Sequence, residues 1–220
     1  MSIEAKTKDA QQIIEDAMRS SKRQLVAFSG GKDSIVVAHI ARQLGIRDFV
    51  CETSFYFRRQ LDSIKETARR IGIEPVYRES LHLEWLKANR HIVFSNDSAV
   101  RGWTFATRQQ RTVKRRAKEI QADCQIFGRR TEENCVKATL YRTSAGLQCH
   151  PIRDWKTSDV LEYLEVHGIP LPWIYSTRFG KTEGNAPFYT LNHKTAGLSI
   201  EQCWQLVESM DERYHKGIVE

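Results

Sequence analysis

Residues 25 to 34 read LVAFSGGKDS. An apolar run of this length, followed at once by two glycines and then Lys-Asp-Ser, specifies a buried strand that turns sharply into a helix. Glycines let the backbone come close to an anion, and the helix that follows presents free N–H groups and a positive end. Ser29 and Ser34 add hydroxyl donors beside Gly30 and Gly31, and Lys32 adds a point charge. Asp33 cannot bind phosphate directly, so its expected role is to hold Mg²⁺ or to orient the loop. The string is not a Walker P-loop, which needs G-x-x-x-x-G-K-[ST]. Here Gly31-Lys32 is followed by Asp33, and the position of the required first glycine falls on Val26. The plain alternative is a strand-turn-helix with a Gly-Gly turn. The whole string between a greasy strand and an apolar helix favours phosphate binding.

The pattern along the chain repeats this unit. Residues 9–21 read as a helix, 24–28 as a strand, 34–44 as a helix closed by Gly45, and 48–53 as a second strand. Residues 56–71 place Phe57, Leu61, Ile64, Ala68 and Ile71 at 4-3-4-3 spacing, an amphipathic helix. A third strand at 74–80, a helix near 83–89 and a strand at 124–128 follow. This alternation predicts an α/β fold with a parallel sheet and helices on both faces. Residues 150–170 hold a short helix, with Thr157 as its cap and Asp159 in its first turn. Residues 172–196 read as loop. In the last helix, 199–214, Ser199 and Gln202 stand at capping-box spacing, and Cys203, Leu206, Val207 and Met210 share a face. No linker divides the chain, so the reading is a single domain over 1–220, with its core at about 22–176 and a loop and helix at about 177–220.

With 220 residues, 40% hydrophobic, the chain can bury a core and is not a disordered one. Its formal charge of +7 suits an anionic partner. The polar start lacks a signal peptide's apolar region, and the apolar run near the loop is too short for a bilayer. The expectation is a cytoplasmic protein with no membrane association. The five cysteines form no C-x-x-C pair, which favours free thiols. The seven histidines show no ligand spacing, so no structural zinc is expected. Cys149 and His150 are adjacent and would point to opposite faces of a strand, which argues against a dyad.

The sequence resembles a known family in four ordered blocks over residues 24–176. SGGKDS is similar to the pyrophosphate loop of the adenine nucleotide α-hydrolase-like (PP-loop) ATPases, whose Rossmann-like domain is the expected fold. FVCETSFYF…SIKETARRIGIEPV resembles the branch of phosphoadenylylsulfate (PAPS) reductases and ATP sulfurylase small subunits, with Glu52 and Thr53 at the strand end. IFGRRTEEN resembles that branch's G-x-R-x-x-E segment, with Gly128, Arg129, Arg130 and Glu132 in the matching places. HPIRDWKTSDVLEYLEVHGIPLPWIY resembles its P-[IL]-x-D-W block. The resemblance implies ATP with Mg²⁺, bound by Ser29 to Ser34, Glu52, Thr53, Gly128, Arg129, Arg130 and Glu132. It further implies Lys32, Asp33 and Arg129 as catalytic groups and Asp33 as the metal ligand. ATP would be cut between its α and β phosphates.

Members of the branch differ in what they activate, and three readings stay open. Sulfonucleotide reductases use a cysteine in an E-C-G-x-H tail, which ERYHKGIVE does not supply, leaving Cys135 or Cys149 as nonstandard nucleophiles. The cysteine ligands of an iron–sulfur cluster are missing from RGWTFATRQQRTVKRRAKE, so none is expected. The ATP sulfurylase small subunit is a longer chain that works with a GTPase partner. DNA phosphorothioation systems use an ATP pyrophosphatase of this branch. That reading implies DNA, a sulfur-donor protein such as a cysteine desulfurase, and a homo- or hetero-oligomer. It agrees with a basic stripe, Arg108, Arg111, Arg115 and Lys118, at 3-4-3 spacing on one helix face, with Val113, Ala117 and Ile120 on the other. The same stripe fits a solvated face or the nucleotide cleft. A nucleotide- or DNA-binding module on an inactive ATPase fold is the non-enzyme alternative.

Overall fold

Leu25 and Val26 lie on strand β1 (Gln24–Ala27), are fully buried, and as neighbours point to opposite faces, so this strand needs cover on both sides. The computed structural model describes residues 1–54, 56–95, 97–107, 111–133, 136–177 and 198–215. It places β1 inside a six-stranded sheet of order β3-β2-β1-β4-β6-β5. The other strands are β2 (Phe49–Glu52), β3 (Val76–Arg78), β4 (Cys124–Ile126), β5 (Leu140–Thr143) and β6 (Gly146–Cys149). β1 pairs in parallel with β2 and β4, β4 pairs in parallel with β6, and β5 runs antiparallel to β6. The expected α/β class forms, and the sheet expected to be parallel is parallel across β2, β1, β4 and β6 but antiparallel at its edge strand β5.

The helices are α1 (Ile3–Arg19), α2 (Lys32–Gln43), α3 (Arg58–Arg70), α4 (Leu83–Ala88), α5 (Arg90–Val93), α6 (Ser98–Phe105), α7 (Arg111–Glu119), α8 (Thr157–Val166) and α9 (Ile200–Met210). α7 lays Val113 and Ala117, with Ile120 just beyond its end, on Leu25 and Val50. α1, α2 and α8 pack on one another, α2 against β1 and α1 against β4 and β6. In α1 the Ser2 hydroxyl caps the Ala5 N–H, and Glu4 and Arg19 suit the two ends of the helix dipole. Ile64, Ala68 and Ile71 are buried as the spacing of α3 predicts. At α8 the expected cap moves by one residue: Thr157 is the first helical residue, and Asp159 accepts from the Lys156 N–H at 2.7 Å.

The chain divides into two compact units. One comprises residues 1–51, 64–77 and 113–172, and the other 52–63, 78–112 and 173–220. The second unit gathers α4, α5, α6, α9 and the 3₁₀ turns Trp173–Ser176 and Glu212–Tyr214. Both halves of the Ser199–Gln202 capping box form at the start of α9. Cys203, Trp204 and Val207 are buried from it. Trp204 meets the Phe94 ring edge-on at 5.2 Å and donates its indole N–H to the Arg90 carbonyl at 3.0 Å. Tyr214 donates its hydroxyl to the Tyr56 carbonyl at 3.1 Å. This last helix therefore docks within its own unit. No helix among the described residues is long and apolar enough to cross a membrane.

Candidate functional site

The chain leaves β1 through Phe28, whose N–H still bonds the Val50 carbonyl at 2.8 Å, and turns over Ser29-Gly30-Gly31 into α2. β1 has β2 on one side and β4 on the other, so this turn sits where the sheet order reverses, the place where open parallel sheets bind ligands. Gly31 is the N-cap and lacks a capping side chain. The first N–H groups of a helix have no acceptor within it. Here the N–H groups of Gly30, Asp33 and Ser34 find none among the described residues, while that of Gly31 reaches the Ser29 Oγ at 3.3 Å. Unpaired donors at the positive end of a 12-residue helix make an anion cradle.

The two serines do something other than the sequence suggests. Ser34 Oγ donates to the Gly31 carbonyl at 2.9 Å and accepts from the Ser29 N–H at 3.1 Å. The Ser29 hydroxyl also lies 3.1 Å from it. Both hydroxyls thus tie the loop together from within. Gly30 has φ +69, and a Cβ there would lie 2.5 Å from Ile64 Cγ1. Gly30→Ala is expected to cost about 1–2 kcal/mol from the left-handed backbone alone, with the Ile64 overlap added. A urea melt of the variant measures it.

The segment after β4 closes on this loop. A Cβ on Gly128 would stand 2.7 Å from the Asp33 carbonyl and 2.8 Å from the Ser34 N, so only glycine permits the contact. Arg129 follows. Its guanidinium lies 4.7 Å over the Phe127 ring, and it has no carboxylate partner among the described residues. Burial pulls its pKa down, against the opposing influence of Tyr141.

Arg130, in contrast, is fully buried and saturated. It donates to Asp33 Oδ1 at 2.5 Å, Glu133 Oε1 at 3.0 Å, Thr157 Oγ1 at 3.1 Å and the Trp155 carbonyl at 3.3 Å, and also pairs with Glu132. Lys32, expected to point at phosphate, is instead buried and donates to Asp33 Oδ2 at 2.9 Å and Glu133 Oε1 at 3.1 Å. Two cations face three carboxylates, a cluster with one net negative charge. Such a cluster braces the loop rather than attracting phosphate. Helix α2 supplies Lys32 and Asp33, the segment after β4 supplies the Arg and Glu residues, and α8 supplies Thr157.

The carboxylates do not fit a resident metal ion. Both Asp33 oxygens already meet cations, and no group of three His, Cys, Asp or Glu among the described residues is arranged to hold one. Glu132 is held at a pKa of about 2 by Arg130 first and then by the Thr157 hydroxyl. A depressed carboxylate pKa contributes stability above the unfolded value that fades as pH falls toward the folded one. The urea midpoint of Glu132→Gln should therefore lie below that of the parent at pH 7, and the gap should close between about pH 4.5 and 2.

Glu52 and Thr53, at the end of β2, belong to the second unit. Glu52 Oε1 accepts from the N–H of Ser54 at 3.0 Å and of Ser80 at 3.4 Å, and the Thr53 N–H bonds the Arg78 carbonyl at 2.8 Å. On α7, Arg111, Arg115 and Lys118 are exposed, as is Lys114, while Val113, Ala117 and Ile120 are buried, as the spacing requires. Arg115 and Arg116 share Glu119. Arg108 and Cys135 lie outside the described residues. Cys51, Cys124, Cys149 and Cys203 are buried thiols outside any disulfide among the described residues. Burial raises the thiol pKa of Cys149 and Cys203, and that of Cys124 to about 11.

Sequence reasoning misses Glu133, Thr157 and His150. Glu133 is one of two adjacent acids in RRTEEN, which hints at a second partner for an arginine. His150 is fully buried between the rings of Phe127 and Tyr141, each centroid 5.7 Å away. Burial, then Arg129 and Arg153, bring its pKa to about 4, so it stays neutral beside Arg129.

Comparison with known proteins agrees with this fold. PAPS reductase from Candida auris, solved as a phosphate complex, aligns with a TM-score of 0.64 at 15% identity, covering 84% of this chain and 96% of that one. NMN synthetase from Francisella tularensis gives 0.60 at 15% identity, over 100% and 98% of the two chains. The U34-tRNA thiolase NcsA from Methanococcus maripaludis, with its [4Fe-4S] cluster, gives 0.54 at 15% identity, over 99% and 81%. At this identity they speak for the fold alone. No curated protein matches the sequence. The profile of the phosphoadenosine phosphosulfate reductase domain matches residues 23–184, and the chain therefore belongs to that family.

Proposed function

We propose that the protein is an ATP pyrophosphatase that cleaves ATP between the α and β phosphates and activates an acceptor for sulfur incorporation, the acceptor being DNA destined for phosphorothioate modification. The observation that carries this is the cradle of unpaired N–H groups at Gly30, Asp33 and Ser34, closed by Gly128 and followed by the uncompensated Arg129. Those donors hold the β and γ phosphates as the leaving pyrophosphate. The acceptor oxygen attacks the α phosphorus, the bridge to the β phosphate breaks, and pyrophosphate leaves with the electron pair. The AMP then stands on the acceptor until a sulfur nucleophile or water displaces it, and without an acceptor water attacks directly. Arg129 offsets the charge that grows on it, and such stabilisation is usually the largest catalytic contribution. Lys32, Arg130 and their three carboxylates keep the loop rigid. Mg²⁺ enters with ATP, as expected where substrate phosphates supply most of its ligands. The exposed face of Arg111, Lys114, Arg115 and Lys118 suits a phosphodiester backbone.

Sulfonucleotide reduction is the second reading, favoured by the family description and by the PAPS reductase likeness. It needs a reactive thiolate, and the four described cysteines are buried. The test is incubation with Mg·ATP, alone and with duplex DNA, over a range of salt. AMP formation stimulated by DNA, with the stimulation fading as salt rises, is expected. Sulfite release from PAPS in the presence of a thiol reductant, without AMP formation from ATP, would overturn the proposal in favour of the reductase.

A further inference from the structure

A cavity of about 640 Å³ opens in the first unit at the end of the sheet remote from the phosphate loop. Phe49, the first residue of β2, and Tyr77, on β3, form part of its wall. The loop follows the C-terminal end of β1, so roughly one strand length, on the order of 13 Å for four residues, separates the two places. Four cations line the cavity, Arg42, Arg47, Lys65 and Arg69, against one acid, Glu74.

Some of that charge has a local explanation. Arg42 and Arg69 stand in the last turns of α2 and α3, where cations suit the helix dipole. Arg42 Nε donates to the Gly72 carbonyl at 2.6 Å, and Arg69 pairs with Glu66. Arg47 and Lys65 have no such explanation. Neither has a carboxylate partner among the described residues, and the Lys65 ammonium lies 5.6 Å over the Tyr77 ring. Tyr77 is half-buried, burial raises its phenol to about 12, and its hydroxyl remains a donor with no acceptor among the described residues. Clustered cations repel one another, and this arrangement becomes favourable when an anion neutralises them. The partly exposed Tyr77 ring adds a surface on which a planar ring can lie.

We infer that this cavity is a second anion site that binds a nucleoside phosphate, with the phosphate on Arg47 and Lys65 and the ring against Tyr77. The cavity lies well within the size range of small-ligand sites, about 300–1,000 Å³. The inference is independent of the chemistry proposed for the loop.

Equilibrium dialysis of the full chain with labelled ADP tests it, comparing the parent with Arg47→Ala/Lys65→Ala. Both side chains are exposed, so the variant should fold, and circular dichroism checks this. The expected result is that the double variant loses one equivalent of bound ADP, or binds it at least tenfold more weakly. Tyr77→Phe should weaken the same equivalent, inorganic phosphate should compete for it, and adenosine should not. If the loop does not bind nucleotide, the parent holds one equivalent and the double variant none, so the two readings fail separately. An ADP stoichiometry and affinity unchanged by Arg47→Ala/Lys65→Ala would overturn the inference.

Discussion

Replacing Arg130 with alanine is expected to cost about 3–5 kcal/mol of folding stability, because it strands carboxylates in a buried site. The guanidinium is fully buried and serves Asp33, Glu132, Glu133, Thr157 and the Trp155 carbonyl at once. After its loss Lys32 alone, among the described residues, remains to balance Asp33 and Glu133. For a chain of this size the melting temperature should fall by roughly 10 °C. Lysine should not rescue the variant, since an ammonium cannot reproduce the planar fork that meets several acceptors together. Thermal unfolding of Arg130→Ala and Arg130→Lys measures both expectations. A loss of under about 1 kcal/mol, the range of exposed ion pairs, would mean that the cluster is solvated.

Arg129→Ala should behave in the opposite way. Its guanidinium lies over the Phe127 ring and has no carboxylate partner among the described residues, so its removal should leave the melting temperature nearly unchanged. AMP formation, however, should fall by about 10²–10³-fold, the usual cost of losing one group that stabilises developing negative charge. The loss should appear in kcat. A loss in KM alone would indicate an arginine that binds ground state and transition state equally.

These neighbouring arginines show where sequence reading succeeds and where it stops. The turn from β1 into α2 is legible because an apolar run, two glycines and a helix start are all local signals. The same holds for the amphipathic α3 and for the Ser199–Gln202 box, both of whose hydrogen bonds form. The motif draws attention to Arg129 and Arg130 together but cannot assign their different jobs. That difference arises because Arg130 meets Asp33, 97 positions away in the chain, and no local pattern reports such a meeting. Lys32 and Ser34 escape local reading for the same reason, since their partners are set by how the segment after β4 and the turn itself fold back. The β5–β6 hairpin is illegible because its turn, Ser144-Ala145, lacks the Asn-Gly or Asp-Gly signal. His150 looks like any strand residue until Phe127 and Tyr141 enclose it.

The most direct test of the central claim is the bond that is broken. ATP labelled on its α phosphate, incubated with the protein, Mg²⁺ and duplex DNA, should yield label in AMP, free or joined to the DNA, and unlabelled pyrophosphate, with no ADP. Label recovered in ADP, or left wholly in ATP, would contradict the account.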